Sequence, residues 1–215
     1  MYICCLIIQI NKVLLKKTEM ISNRKLIYTG CIIPLIFWIG IGYCGLITEN
    51  YSFLANQVSD LGSIGTETQT LFTFTLVFIS VLSIIFIYGL YKTAKKTGLN
   101  IIPILLILTY SVSIFGAGIF PLPLPLHGIL GSPSMLLPLS PLLSILLWKE
   151  SKIAGIKIAS GLILLIMFLG FLTLMPDILT DYFGLKQRFF HLGWSLWFIY
   201  LSLKFTELDR KTNAS

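Results

Sequence analysis

The sequence predicts an all-α integral membrane protein, a six-helix transmembrane bundle with both termini cytoplasmic. Three observations carry that expectation: an apolar composition, six apolar segments of spanning length, and basic residues crowded on one side. Of the 215 residues, 56% are hydrophobic and 12% charged, with a mean hydropathy of +0.89, whereas a soluble domain carries about 25% charged residues. A water-soluble fold of this length has no core large enough for so much apolar surface, so lipid is the expected solvent. A span needs roughly 20 apolar residues to cross a hydrocarbon layer about 30 Å thick at 1.5 Å per residue.

The expected spans are residues 26–47, 71–91, 101–120, 126–148, 153–175 and 189–205, which make residues 26–205 one transmembrane domain. Only Lys157, near the start of the fifth, and Lys204, near the end of the sixth, put a charge inside a span, and both reach the interface by snorkelling. The sixth is short, and Trp194 and Trp197 supply bulk near one boundary.

Orientation follows from the basic residues, because positive loops stay in the cytoplasm. Fourteen fall on one side: Lys12, Lys16, Lys17, Arg24 and Lys25 before the first span; Lys92, Lys95 and Lys96 after the second; Lys149, Lys152 and Lys157 after the fourth; Lys204, Arg210 and Lys211 at the end. Lys186 and Arg188 fall on the other. The net charge of +7 is therefore topological, and its scatter between apolar segments argues against nucleic acid as a partner. The bilayer is the expected partner; the oligomeric state is not legible.

Residues 1–25 are expected to be a cytoplasmic segment and residues 206–215 a cytoplasmic tail. The apolar stretch at residues 1–15 is interrupted by Gln9, Asn11 and Lys12, is too short to span, and lacks the basic region that precedes a signal-peptide core. Met20, just ahead of Ser22, Asn23, Arg24 and Lys25, is the more ordinary start. Cys4 and Cys5 are adjacent, and Cys31 and Cys44 lie about 20 Å apart along one helix, so no disulfide framework or CxxC metal site follows.

Six of the nine prolines fall between Pro121 and Pro141. FPLPLPLH predicts a stiff, polyproline-like link between the third and fourth spans. Pro133, Pro138 and Pro141 then interrupt the fourth span, with Ser132, Ser134, Ser140 and Ser144 placed to satisfy freed carbonyls, which predicts a kinked helix or a bend that opens a cavity.

The polar residues of interest gather on the extracytoplasmic side. The loop ENYSFLANQVSDLGSIGTETQ holds three acids and no base, and Ser59-Asp60-Leu61-Gly62 has the character of a helix N-cap or Asx-turn. His127 opens the fourth span, Asp177 and Asp181 precede the sixth, and Gln187, Arg188 and His191 stand at its outer end. Arg188, His191 and Ser195 are spaced i, i+3 and i+7, so they share a helical face that is expected to point inward. An inward Arg188 needs an anion, so Asp60 and Arg188 are expected to contact each other or one shared ligand.

YSFLANQVSDLG after the first span, a Gly-rich helix ending FP ahead of a His, and GLKQR leading into a Trp-bearing last helix together resemble the multi-pass membrane proteins grouped as domain of unknown function 998. The resemblance runs over about residues 26–205. It implies the multi-pass architecture and a shared outer polar cluster of Ser59, Asp60, His127, Gln187 and Arg188, to which His191 is added from its helical spacing. It implies no established activity.

Three functions compete. The reading placed first is a structural protein or partner subunit, in which Asp60 pairs with Arg188 and no cofactor is needed. The second is a binding or transport protein holding a lipid headgroup or small solute, with Arg188 facing an anion. The two halves show no inverted repeat, which argues against a standard secondary transporter. The third is a lipid hydrolase in which Asp60, His127 and His191 bind a divalent metal, two histidines and a carboxylate being the smallest sufficient set.

Overall fold

The computed structural model describes residues 2–214, with side chains over 23–213. The expectations about residues 1–15 and a start at Met20 concern side chains outside the described residues. Among the described residues every element is helical: α1 (Tyr2–Ile47), α2 (Gln69–Thr97), α3 (Ile102–Leu105), α4 (Ile107–Ile119), α5 (Pro125–Gly131), α6 (Leu139–Leu147), α7 (Ile156–Leu169) and α8 (Phe183–Ala214). Single 3-10 turns occupy Val58–Gly62, Ser132–Leu136 and Gly170–Leu174.

Five segments are long and apolar enough to cross a membrane: Asn23–Ile47, Gln69–Thr97, Ile102–Ile119, Pro125–Leu147 and Ile156–Leu174. The sixth expected span lies within α8, which is too polar to qualify on composition yet carries the most deeply packed side chains. Trp194, Trp197, Phe198, Leu201 and Phe205 are all fully buried. The buried face of a helix can carry polar groups that its lipid-facing side cannot, because protein and not hydrocarbon satisfies them. The outward faces show the reverse pattern, with Leu46, Phe74 and Ile158 among the most exposed residues and Leu192, Leu196 and Leu203 exposed on α8.

Each segment packs on its neighbours in the chain, and α8 closes the ring against α1 while also meeting α2 and α7. Tyr110 of α4 and Phe86 of α2 join the α8 aromatic column, with Tyr110 4.6 Å from Trp194 and Phe86 5.3 Å from Phe198 between ring centroids. The α7–α8 crossing depends on Gly193, where a Cβ would stand 2.9 Å from the Met167 backbone nitrogen. Small residues at such crossings let helix backbones approach in membranes.

The proline-rich region differs in part from expectation. Pro121 to Leu124 closes as a turn, with the Leu124 N–H donating to the Pro121 carbonyl at 3.0 Å, and does not run as an extended polyproline strand. Alternate residues of the run keep an N–H that needs an acceptor, and the turn supplies one. The fourth segment is interrupted three ways, as α5, a 3-10 turn and α6, and neither α5 nor the turn contains a buried residue.

The two ends of the bundle differ. One holds the loop 48–68, the 120–125 link and the start of α8, with the Ile64 N–H donating to the Leu122 carbonyl at 2.8 Å to join loop and link. The other, the basic end, holds the junctions near residues 98 and 150 and the end of α8. There Asp209, 3% exposed, accepts from Asn23 Nδ2 at 2.9 Å and Asn213 Nδ2 at 3.1 Å, with Thr93 Oγ1 at 3.4 Å and Arg24 Nε at 3.6 Å.

Candidate functional site

The loop after α1 is held by its own polar side chains. Asn56 Oδ1 accepts from the Ser52 N–H at 2.7 Å, and the Tyr51 hydroxyl donates to the Gln57 carbonyl at 2.9 Å. The SDLG motif forms the Val58–Gly62 turn, with Asp60 Oδ2 accepting from the Gln57 N–H at 2.7 Å. A carboxylate there satisfies a donor that a helix start leaves open.

This loop docks on the first turn of α8, and GLKQR supplies the fit residue by residue. A Cβ on Gly184 would collide with the Asn56 carbonyl oxygen, so only glycine admits the loop this close. The Gly184 and Leu185 N–H groups, without partners inside a helix start, donate to the Ala55 and Leu54 carbonyls at 3.1 and 2.9 Å. Gln187 Oε1 accepts from the Val58 N–H at 2.7 Å. Arg188 donates to the Asn56 carbonyl at 3.0 Å and the Tyr51 hydroxyl at 2.6 Å, with its guanidinium 5.8 and 5.4 Å from the Tyr51 and Phe53 ring centroids. Burial raises the Tyr51 phenol pKa above its ordinary value, and the nearby Arg188 charge opposes that rise.

The expected direct pairing of Asp60 with Arg188 is corrected by this arrangement. Among the described residues the ion pairs are Arg24–Asp209, Lys204–Glu207 and Lys211–Glu207, all at the basic end. Arg188 finds neutral oxygens and aromatic faces, while Asp60 finds a backbone amide of its own turn. Lys186, expected in the preceding loop, lies inside α8, fully buried, and donates to the Met175 and Ile178 carbonyls at 3.2 and 2.9 Å. Asp177 and Asp181 are exposed in the segment before α8.

Beneath the docked loop lies a cavity of about 380 Å³. It is lined by Gln57, Val58 and Ser59 from the loop, Tyr110, Ser113 and Ile114 from α4, and His127, Gly128 and Gly131 from α5. Ser134 and Met135 follow from the next turn, and Gln187, Phe190 and His191 from α8. The structure thus brings Ser59, His127, Gln187 and His191 to one space and leaves Asp60 and Arg188 outside its lining. His127 Nδ1 lies 2.9 Å from the Phe120 carbonyl, which fixes it as the donor. His191 Nδ1 accepts from Trp194 Nε1 at 3.0 Å, beside Phe37. Ser195, on the same face, donates to the His191 carbonyl at 2.6 Å and accepts from Trp38 Nε1 at 3.0 Å.

Tyr110 and Ser113 were not anticipated. Both line the cavity, are 1% and 2% exposed, and leave their hydroxyls without a hydrogen-bond partner, as does His191 at Nε2. The available signal was their i, i+3 spacing in an apolar span, which puts two hydroxyls on one face. The metal set is not assembled: among the described residues no three His, Cys, Asp or Glu side chains stand close enough to hold an ion. Asp60 caps its own turn, and one nitrogen of each histidine is already engaged.

No curated protein and no solved structure matches the chain. The family model described as "Protein of unknown function (DUF998)" matches residues 31–204, from the middle of α1 to the last turns of α8, and so takes in the docked loop, the cavity and the GLKQR turn. This multi-pass membrane protein belongs to that family.

Proposed function

We propose that the chain is a six-span protein of the cell membrane, with both termini cytoplasmic, and that the cavity under the extracytoplasmic loop binds a lipid headgroup or small molecule. Residues 26–205 form the membrane domain, flanked by cytoplasmic segments. The basic end, which gathers all the described Lys and Arg residues except Lys186 and Arg188, is the cytoplasmic one. The cavity reading rests on the Tyr110, Ser113 and His191 groups left unpartnered in its wall. Leaving a buried donor unmet costs about 1–3 kcal/mol, which a ligand offsets by accepting its hydrogen bond.

The test is mass spectrometry of organic extracts from the full chain purified in mild detergent. Gly131 lines the cavity and has open space where a Cβ would stand. The native chain is expected to release a compound in near-stoichiometric amount that Gly131→Leu does not. Identical extracts at equal yield overturn the reading. A reporter fused after Ser215 should behave as cytoplasmic, and one inserted near Thr66 as exported.

A further inference from the structure

The cavity wall offers hydrogen bonds and carries no fixed charge. Arg188 is committed to Asn56 and Tyr51, Lys186 to the carbonyls of Met175 and Ile178, and neither lines the space. Asp60 is equally outside the lining and bound to the Gln57 N–H. An anion or cation entering here would lose its hydration without meeting a countercharge, and an unpaired buried charge is far costlier than a neutral group that finds its hydrogen bonds.

The polarity of the inner wall is fixed by Trp194. An indole N–H only donates, and it donates to His191 Nδ1 at 3.0 Å, so that nitrogen holds its lone pair and the neutral ring carries its proton on Nε2. A protonated ring would set one N–H against another. The residues of the wall therefore include the His191 Nε2–H and the Tyr110 and Ser113 hydroxyls, all buried and without partners. The imidazole N–H can only donate and the two hydroxyls can donate or accept, so acceptor oxygens on an otherwise apolar molecule meet all three groups, set among Phe37, Ile114 and Phe190.

Resting on the reading of the cavity as a ligand site, we infer that it takes an uncharged amphiphile bearing carbonyl oxygens, of the neutral acyl-ester class, with its carbonyls accepting from Tyr110, Ser113 and His191. At about 380 Å³ the space lies at the small end of the roughly 300–1,000 Å³ typical of ligand pockets, so it holds the ester region and not long acyl chains. Chains leave on the side of α5 and the Ser132–Leu136 turn. That wall has no buried residue and packs on α4, whereas α6 packs on α3 and α7. The same ester chemistry occurs on a membrane lipid and on a free solute.

Three probes added to the full chain in detergent separate these cases, with intrinsic fluorescence and thermal unfolding as readouts. Dioctanoylglycerol carries uncharged esters with chains, dioctanoyl phosphatidic acid carries the same esters with charge, and triacetin carries esters without long chains. Dioctanoylglycerol is expected to bind saturably, at least tenfold more tightly than the phosphatidic acid. Tyr110→Phe and Ser113→Ala should each weaken it about tenfold while the ligand-free unfolding temperature stays level or rises. Equal triacetin binding supports the ester chemistry and assigns a soluble source; weak triacetin binding supports it and assigns the bilayer. Phosphatidic acid binding as tightly, with the same sensitivity to the variants, overturns neutrality while leaving a ligand site. Failure of all three probes, or binding indifferent to both variants, overturns the inference, and the Gly131→Leu extraction then decides separately whether the cavity reading falls with it.

Discussion

The two ends of this bundle bury polar groups differently: the basic end gathers donors around one carboxylate, although Asn23 Oδ1, Arg24 Nε and Thr206 Oγ1 stay without a hydrogen bond there, and the loop end has no such hub among the described residues. At the basic end, Asp209 is surrounded by donors from three helices: Asn23 and Arg24 of α1, Thr93 of α2 and Asn213 of α8. At the loop end, Arg188 fastens loop to helix while Asp60 caps its own turn, and Tyr110, Ser113 and His191 in the cavity wall keep polar atoms without a hydrogen-bond partner. A buried polar group that is paired across elements ties those elements together. One that is buried and unpaired costs stability.

The contrast breaks most sharply at Asp209. Removing a buried acid that several donors face leaves those donors stranded, which typically costs about 3–5 kcal/mol. Asp209→Ala is therefore expected to lower thermal stability in detergent more than any cavity substitution does. A loss no larger than that of a lipid-facing control such as Leu46→Ala would show that the basic end is not the clamp its hydrogen bonds describe.

The loop end should respond in the next range. Gly184→Ala forces the Asn56 carbonyl away from α8 and is expected to cost about 1–3 kcal/mol, the usual range for overpacking. Protease accessibility of the loop 48–68 should rise with it. Arg188→Gln and Asp60→Ala should each cost about 1 kcal/mol, one through its bonds to neutral oxygens and the other through a lost cap. Because the two side chains serve different partners, their effects should add to within about 0.5 kcal/mol. A larger coupling energy in the double mutant would restore the direct pair that the sequence suggested.

That pair shows where sequence reasoning stops. Apolar segments made the helical membrane fold legible, because hydropathy acts over whole segments. Ser59, His127, Gln187 and His191 were also legible as neighbours, since each is a polar residue at the same end of a span. Partner choice was not. An inward guanidinium argued for Asp60 with Arg188, but Arg188 meets a carbonyl, a phenol and two ring faces and leaves Nε without a partner, and no pattern in one sequence encodes that. Asp209 went unnoticed because its partners lie 116 and 186 residues away in the chain. The polarity of α8 comes from its ends and its buried face, while Leu192, Leu196 and Leu203 remain exposed.

The smallest expected effect is the most discriminating. Tyr110 packs its ring against Trp194 and Phe198, at 4.6 and 5.2 Å between centroids, while its hydroxyl meets no partner. Tyr110→Phe keeps the ring and deletes only the unmet group, so in the ligand-free protein it removes a desolvation cost and no bond. Substitutions that strip a polar atom without stranding its partner are close to neutral or stabilising, in contrast to those that strand one. Tyr110→Phe should thus shift ligand-free stability by less than about 0.5 kcal/mol downward, or raise it, the range of a substitution that breaks nothing. Ser113→Ala should follow it, being equally buried and equally unpartnered. If either variant instead destabilised the ligand-free protein by 1 kcal/mol or more, on the order of a lost hydrogen bond, the hydroxyl would have a structural partner. The cavity wall would then be built like the basic end, and the contrast between the two ends would disappear.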